Sequence, residues 1–494
     1  MQDVTQSGSS NPVMVLFRSD LRIRDNLALA TAVATGRPVV CVAVFDQESA
    51  GVRPLGAARR WWLHHSLHAL SKSLEAFGGR LILRRGPMKE AGVALAAEMG
   101  ASAVFWNRRY VPSEAGSDAA LLFALRERGV KAESFDGQLL HEPMRLKAAT
   151  GGYYKVFGAF KRALGAQPEP RDPVDAPDRL NSWKGELRSD ALDDWQFLPR
   201  KPDWSAGLNE SWTPGEASAQ ANLEAFLSER LEGYGQGRDF PARGATSRLS
   251  PHLVAGEITP FQILARLRLL RTSHQTEDAA KLRAELAWRE FCYHLLCHNP
   301  DLASANFAPA FNRFPWQADF SHLKAWQAGR TGYPIVDAGM RQLWRTGWMH
   351  NRIRMVVASF LTKHLLIDWR EGEKWFWDTL VDADPANNPA NWQWVAGSGA
   401  DAAPYFRIFN PVLQGKKFDP DGDYTRRFVP ELARLGSRYL HEPWCAPAND
   451  LKAAGVKLGE HYPVPLVEHR EARDRALAAY KQLKGTHEDH SARP

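Results

Sequence analysis

Residues 382–410 read DADPANNPANWQWVAGSGADAAPYFRIFN. Acidic, amide, indole and guanidinium groups crowd together here, with little of the aliphatic periodicity of a packing helix. Asp382 and Asp384, then Asn388, then Trp392 and Trp394, then Arg407, suggest a floor lining a cofactor with a basic rim beside it.

Outward from that floor, Gly347-Trp348-Met349-His350-Asn351-Arg352-Ile353-Arg354-Met355 begins a helical pattern running to about residue 367. Asn351, Arg354 and Met355 fall at i, i+3 and i+4, one stripe facing one neighbour. Alone, the Asn would be a cap and the Met a gap-filler. Beside Asp382, Arg354 reads instead as half of a charge pair that fixes geometry more surely than it adds stability. Further upstream, Glu285 and Trp288 share a helix face, with Cys292 one turn on; that pairing is equally compatible with surface decoration. Thr246-Ser247-Arg248-Leu249-Ser250-Pro251 supplies hydroxyls, backbone donors and a guanidinium just before a helix. It reads as a plain cap and turn or as a pyrophosphate cradle. Tyr234 and Arg238 stand just before it, in a segment too irregular for a dinucleotide fingerprint.

At 494 residues the chain calls for two or three domains. Its first part alternates β-rich runs (13–17, 39–45, 81–85, 103–106, 131–135) with amphipathic stretches such as 63–76 and 117–128. That rhythm predicts an α/β domain over 12–145, with a parallel sheet covered by helices on both faces. Residues 146–215, rich in Pro, Asp, Trp and Gly, read as an interdomain linker with short helices. Helical periodicity over 221–232, 260–272, 278–297, 336–344 and 349–367 predicts an all-α domain spanning 216–484. Residues 1–11 read as a disordered leader and 485–494 as a polar tail. The 18 Trp residues suit either an indole-rich core or stacking surfaces for bases or a conjugated cofactor. A net charge of +7 suits a polyanionic partner. The four scattered cysteines show neither zinc spacing nor a disulfide framework, and no signal peptide or membrane-length apolar run is evident. The chain reads as cytoplasmic.

Several of these stretches recur together. FRSDLRIRDN (17–26), GYGQGRDFP (233–241), TSRLSPHL (246–253), AELAWREF (284–291), GWMHNRIRM (347–355) and the 382–410 floor resemble, in order, the DNA photolyase and cryptochrome family. The resemblance covers roughly 13–445. It implies a Rossmann-like antenna domain followed by a helical domain that binds flavin adenine dinucleotide (FAD), active as FADH⁻. By this resemblance Tyr234, Thr246, Ser247, Arg248, Leu249, Ser250, Arg354, Asp382, Asp384 and Asn388 bind FAD. Asn388 lies against the flavin N5, where an amide can donate or accept and so tolerate more than one redox state of the ring.

The same resemblance makes Glu285, Asn351, Met355 and Asn388 catalytic and sets Trp288 to stack on an extruded lesion. Arg238, Arg352, Trp394, Arg407 and Gln414 join them in contacting UV-damaged DNA. Trp392, Trp369 and Trp316, in that order toward the surface, would carry electrons that reduce resting flavin. Asn351 and Met355 replace the His pair of members that repair (6-4) photoproducts, and the Asp residues typical of plant cryptochromes at 351 and 388 are absent. The set matches repair of cyclobutane pyrimidine dimers, in which an excited, fully reduced flavin passes an electron to a flipped-out dimer. One departure is Pro389-Ala390-Asn391, where many bacterial members have Asn-Gly-Gly; it implies a stiffer loop. With Gln138-Leu139-Leu140-His141-Glu142-Pro143 it points to a bacterial subgroup close to plant cryptochromes. Subgroup likeness favours a methenyltetrahydrofolate antenna, which neither Asn107-Arg108-Arg109-Tyr110 nor 138–143 decides. A blue-light receptor signalling to a protein partner is the competing reading, and the short polar stretch after the last helical pattern leans to repair. A monomer is expected.

Overall fold

The computed structural model describes residues 11–148, 151–270, 273–402 and 406–491. Residues 1–10 of the expected leader and the last three of the expected tail lie outside these. Five parallel strands form one sheet in the order β3-β2-β1-β4-β5: β1 Val13–Phe17, β2 Val39–Phe45, β3 Leu81–Arg85, β4 Ala103–Asn107 and β5 Lys131–Phe135. Val13 pairs with Val39 on one side and Ala103 on the other. β1, β2 and β4 are buried at every residue, as continuous apolar runs in a doubly covered parallel sheet must be.

Alternate residues go to opposite faces. Val13, Val15 and Phe17 join α1 (Leu27–Ala34) and the Leu67, Leu70 and Leu74 side of α2 (Ala57–Ala76). Met14, Leu16, Val40 and Val42 join α3 (Met88–Glu98) and α4 (Pro112–Arg126). Helix α2 begins six residues before the expected 63. Its first turns bury Trp61 and Trp62 against Leu208, Trp212, Ala255 and Val381 rather than against the sheet, so the sheet-facing period starts late.

The stretch expected as a linker is built partly into this domain. It carries α5 (Phe157–Gly165), then runs along the sheet, where Val39 N–H donates to Asn181 O at 2.7 Å and Leu180 N–H to Phe77 O at 2.7 Å. Trp195 stacks on Phe45 at 5.4 Å.

Helices over Glu216–Glu229, Pro260–Arg268, Ser273–His298, Pro334–Thr346, Trp369–Thr379, Asn387–Ala396, Pro411–Phe418 and His469–Ser491 dominate the remainder. Thr259 opens the second of these with a capping box to Gln262. The continuous helix expected over 349–367 is instead Asn351–Ser359 followed by a wider π-helical turn, Phe360–His364. All three polar side chains of that turn are buried and anchored outside it: Thr362 Oγ1 donates to Ala358 O at 2.8 Å, Lys363 donates to the Arg407 carbonyl, and His364 bonds His469 at 2.8 Å. Such bulges commonly mark functional regions. Among the described residues no helix is long and apolar enough to cross a membrane.

The two halves meet through FRSDLRIRDN. Arg22, 1% exposed, donates to Gly256 O at 3.0 Å, and the Asp25 carboxylate accepts from Thr259 Oγ1 at 2.6 Å. Gly256, at φ +69°, approaches so closely that a Cβ would lie 2.0 Å from Ser19 O.

Candidate functional site

A cavity of about 490 Å³ opens in the helical half. Segments far apart in the chain build it, among them Tyr234 and Arg238, the turn before Ser250, the middle of Ser273–His298, the start of Asn351–Ser359, Asp382 with Asp384, and Asn387–Ala396. Of the residues singled out in the sequence, it is lined by Tyr234, Arg238, Thr246 through Ser250, Glu285, Trp288, Asn351, Arg354, Met355, Asp382, Asp384, Asn388, Trp392 and Trp394. Trp369, Trp316, Arg352, Arg407 and Gln414 do not line it.

The floor is electrostatically fixed. Arg354 Nη2 reaches both oxygens of Asp382, at 3.0 and 2.8 Å, and Ser250 Oγ donates to the same carboxylate at 2.7 Å. Asp382 is buried, so the ion pair supplies the partners that a desolvated carboxylate requires. Asp384 accepts from the backbone N–H groups of Ala386 and Asn387, at 2.9 and 2.6 Å, and from Tyr293 OH at 3.0 Å. It thereby holds the entry to Asn387–Ala396 and sets the angle at which that helix presents Asn388 and Trp392.

Asn388 Nδ2 donates to the Glu373 backbone carbonyl at 3.1 Å and to its carboxylate at 2.8 Å. Two acceptors on that side fix which end of the amide is nitrogen. What Asn388 offers the cavity is therefore an acceptor oxygen, which narrows the donor-or-acceptor reading made from sequence. Glu373, 1% exposed, is itself held by a two-pronged pair with Arg53, at 2.7 and 2.8 Å. Neither residue carried a recognisable signal, because they stand 320 positions apart and only the fold joins them. Trp348, Phe376, Arg289 and Asn391 also line the cavity unforeseen.

Trp392 packs edge-on to Phe376 at 4.9 Å. Its ring tip rests on Gly372, where a Cβ would lie 2.1 Å from the indole. Gly372 belongs to the helix that Trp369 begins, and Trp369 Nε1 donates to Asn306 at 2.9 Å. Trp392 and Trp369 share one apolar cluster, with half-buried Trp316 packed against it. The stiffer loop expected at 389–391 is instead the first turn of Asn387–Ala396, where Pro389 interrupts no helical hydrogen bond.

At the mouth, Glu285 forms an ion pair with Arg238, and Arg352 pairs with Asp239 at 2.9 Å. Trp288 stacks face to face on Phe157 of α5, at 3.6 Å and 9°. Trp394 Nε1 donates to Asp401 O at 3.0 Å. Arg248, at φ +56°, lies over Trp212 at 4.1 Å and donates to Ser211 O at 3.2 Å. Arg407 lies over Phe409 at 4.9 Å, and half-buried Gln414 sits on Pro411–Phe418. The two stretches weighed for an antenna lie against each other: Arg108 pairs with Glu142, and Tyr110 OH donates to that carboxylate at 2.9 Å.

A family model described as the FAD binding domain of DNA photolyase matches residues 282–482, and one described as DNA photolyase matches residues 13–178. The chain is 56% identical over 475 residues to a deoxyribodipyrimidine photo-lyase of Agrobacterium fabrum, covering 96% of this chain and 98% of that one. It is 37% identical over 490 residues to cryptochrome-1 of Arabidopsis thaliana, covering 97% of this chain and 72% of the other. Among solved structures, a bacterial class III photolyase from Agrobacterium tumefaciens matches with a TM-score of 0.95 at 54% identity, covering 98% of this chain and 100% of that one.

Proposed function

Because this chain belongs to the photolyase/cryptochrome family, we propose that it binds FAD and repairs cyclobutane pyrimidine dimers in UV-damaged DNA with light, as a deoxyribodipyrimidine photo-lyase. The observation that carries this reading is the meeting, in one cavity, of the Arg354–Asp382–Asn388–Trp392 floor with a mouth of Glu285, Trp288, Asn351, Met355 and Trp394.

The residues present fit FAD. Hydroxyls and backbone donors of Thr246 through Ser250 suit its phosphates, with Tyr234 and Leu249 beside them. The fixed Arg354–Asp382 pair, Asn388 and the Trp392 wall suit its ring, and Asp384 holds the helix that carries the last two. Bound in reduced form, FAD supplies the light-promoted electron that a dimer accepts and afterwards returns. The acceptor oxygen of Asn388 suits a protonated N5, as in the reduced ring.

Trp288 and Trp394 offer stacking faces to an extruded dinucleotide, and base flipping is the general route by which photolyases reach a buried base. Glu285 and Asn351 hydrogen-bond the dimer, the amide N–H groups of Asn351 and the guanidinium of Arg238 paired to Glu285 opposing the negative charge it gains, while Met355 fills the space beneath it. Arg238, Arg352, Arg407 and Gln414 take phosphate or strand contacts around the mouth. Trp392, Trp369 and Trp316 return resting flavin to its reduced state.

Likeness to a class III photolyase and to a plant cryptochrome supports placing the chain in a bacterial subgroup near the latter. A methenyltetrahydrofolate antenna and a monomeric state go with that placement as part of the same proposal. A folate-type fluorescence in the acid extract checks the antenna, and sedimentation checks the monomer. The function itself is tested in two steps. Reduced protein should retain a dimer-containing duplex over an undamaged one in darkness. Under blue light it should release the duplex with the dimer split. Retention of neither substrate, with flavin bound and photoreducible, would favour the light-receptor reading instead.

A further inference from the structure

We propose that Asp401 is a positioning residue that sets the gap between the two tryptophan walls of the mouth, acting on Trp394 directly and on Trp288 through Phe157. The proposal rests on the reading that these indoles flank the lesion.

The walls come from different helices, Ser273–His298 and Asn387–Ala396. The helices themselves pack together, Ala390 of the second sharing an apolar cluster with Phe291 and Trp288 of the first, so what remains to be set is how the two rings are held at the mouth. One residue reaches both. The Asp401 carbonyl accepts the Trp394 indole N–H at 3.0 Å, which fixes the rotation of that ring. The Asp401 carboxylate accepts the Phe157 backbone N–H at 3.3 Å, and the Phe157 ring lies flat on Trp288 at 3.6 Å and 9°. Asp401 can point its two acceptors apart because its backbone is left-handed, at φ +53°, a conformation that Asp and Asn tolerate better than most residues. The helix end makes this possible. Gly397, at φ +98°, closes Asn387–Ala396, and Gly399 N–H folds back onto Gln393 O at 3.0 Å, which returns the chain toward Trp394.

A dinucleotide inserted between aromatic faces gains most when both planes are already set, because no rotamer freedom is then lost on binding. Undamaged duplex, held through phosphates, does not use this gap. Asp401 and Phe157 therefore act on selectivity for the lesion rather than on general DNA affinity.

The test is a dark titration of flavin-loaded protein with matched duplexes, one carrying a single cyclobutane dimer. Asp401→Gly keeps the backbone geometry and the carbonyl but removes the carboxylate. Phe157→Ala removes the stack. Each should weaken binding of the damaged duplex about five- to tenfold, leaving the undamaged one unchanged. Asp401→Asn, which still offers an acceptor and tolerates the left-handed backbone, should stay within about twofold of the parent protein. Flavin content and photoreduction rate should not move in any of them. Equal affinity of the Asp401→Gly and parent proteins for the damaged duplex would overturn the proposal. So would equal losses on both duplexes, a loss of flavin, or an Asp401→Asn defect as large as that of the glycine. Absence of any lesion preference in the parent protein would overturn the repair reading itself, and this proposal with it.

Discussion

At the residue scale, the chemistry of the floor follows from which atoms are already engaged. Asn388 presents an oxygen because Glu373 takes its nitrogen, and Glu373 stays in place because Arg53 pairs with it. The sequence disclosed Asn388, Asp382 and Trp392, since each sits in a local motif whose neighbours recur with it. It could not disclose Glu373 or Arg53, whose roles exist only across the domain contact. Trp392 offers the clearest single-residue prediction. In Trp392→Phe the smaller ring still packs on Gly372 and Phe376, so flavin should remain bound. Light-driven reduction of oxidised flavin should fall to background, while chemically reduced protein should repair dimers at nearly the parent rate. Transient absorption and a repair time course read the two separately; loss of both would make Trp392 a structural residue rather than an electron carrier.

At the element scale, the segment entering Asn351–Ser359 contains a buried titratable cap. His350, 4% exposed, accepts from Arg352 N–H at 3.2 Å through Nδ1. Burial pushes its pKa down from 6.5 to about 4, with Arg352 and Arg354 adding to the shift and Asp239 opposing it. Between those two values the unfolded chain holds a proton that the folded protein does not. Stability therefore falls as pH drops from about 6.5 toward 4, by up to ~1.4 kcal/mol per pH unit for this one group. His350→Asn keeps a capping acceptor and removes the titration, so thermal midpoints measured across that window should fall less steeply than in the parent protein. Identical slopes would show that His350 is not held neutral by the fold. Periodicity located this helix but not its π-helical turn, because Lys363 and His364 leave the regular pattern to reach Arg407 and His469, partners no local window contains. Helix α2 began early for a related reason: Trp61 and Trp62 answer to the other domain.

At the scale of the whole molecule, the βαβ rhythm followed by helical periodicity was enough to read an α/β half and an all-α half. The joint between them was not readable, because FRSDLRIRDN has no periodicity and its partners lie in the helical half. Gly256 is the most exacting point of that joint. In Gly256→Ala the left-handed backbone alone costs about 1–2 kcal/mol, and the added carbon meets Ser19 O. Calorimetry should show a lower melting temperature, and the isolated protein should carry less flavin, since Arg22 and Asp25 would be displaced from Gly256 and Thr259. An unchanged melting temperature and flavin content would mean that the halves do not depend on this approach.

The central claim is that one cavity holds a reduced flavin at its base and a damaged dinucleotide above it. Counting intact and dimerised thymines in a defined oligonucleotide mixed with fully reduced protein tests this most directly, in darkness and under blue light. The account predicts dimer loss only in the light, with many dimers split per protein and the flavin still reduced at the end. Dimer counts that stay constant under illumination, with flavin bound and reduced, would contradict it.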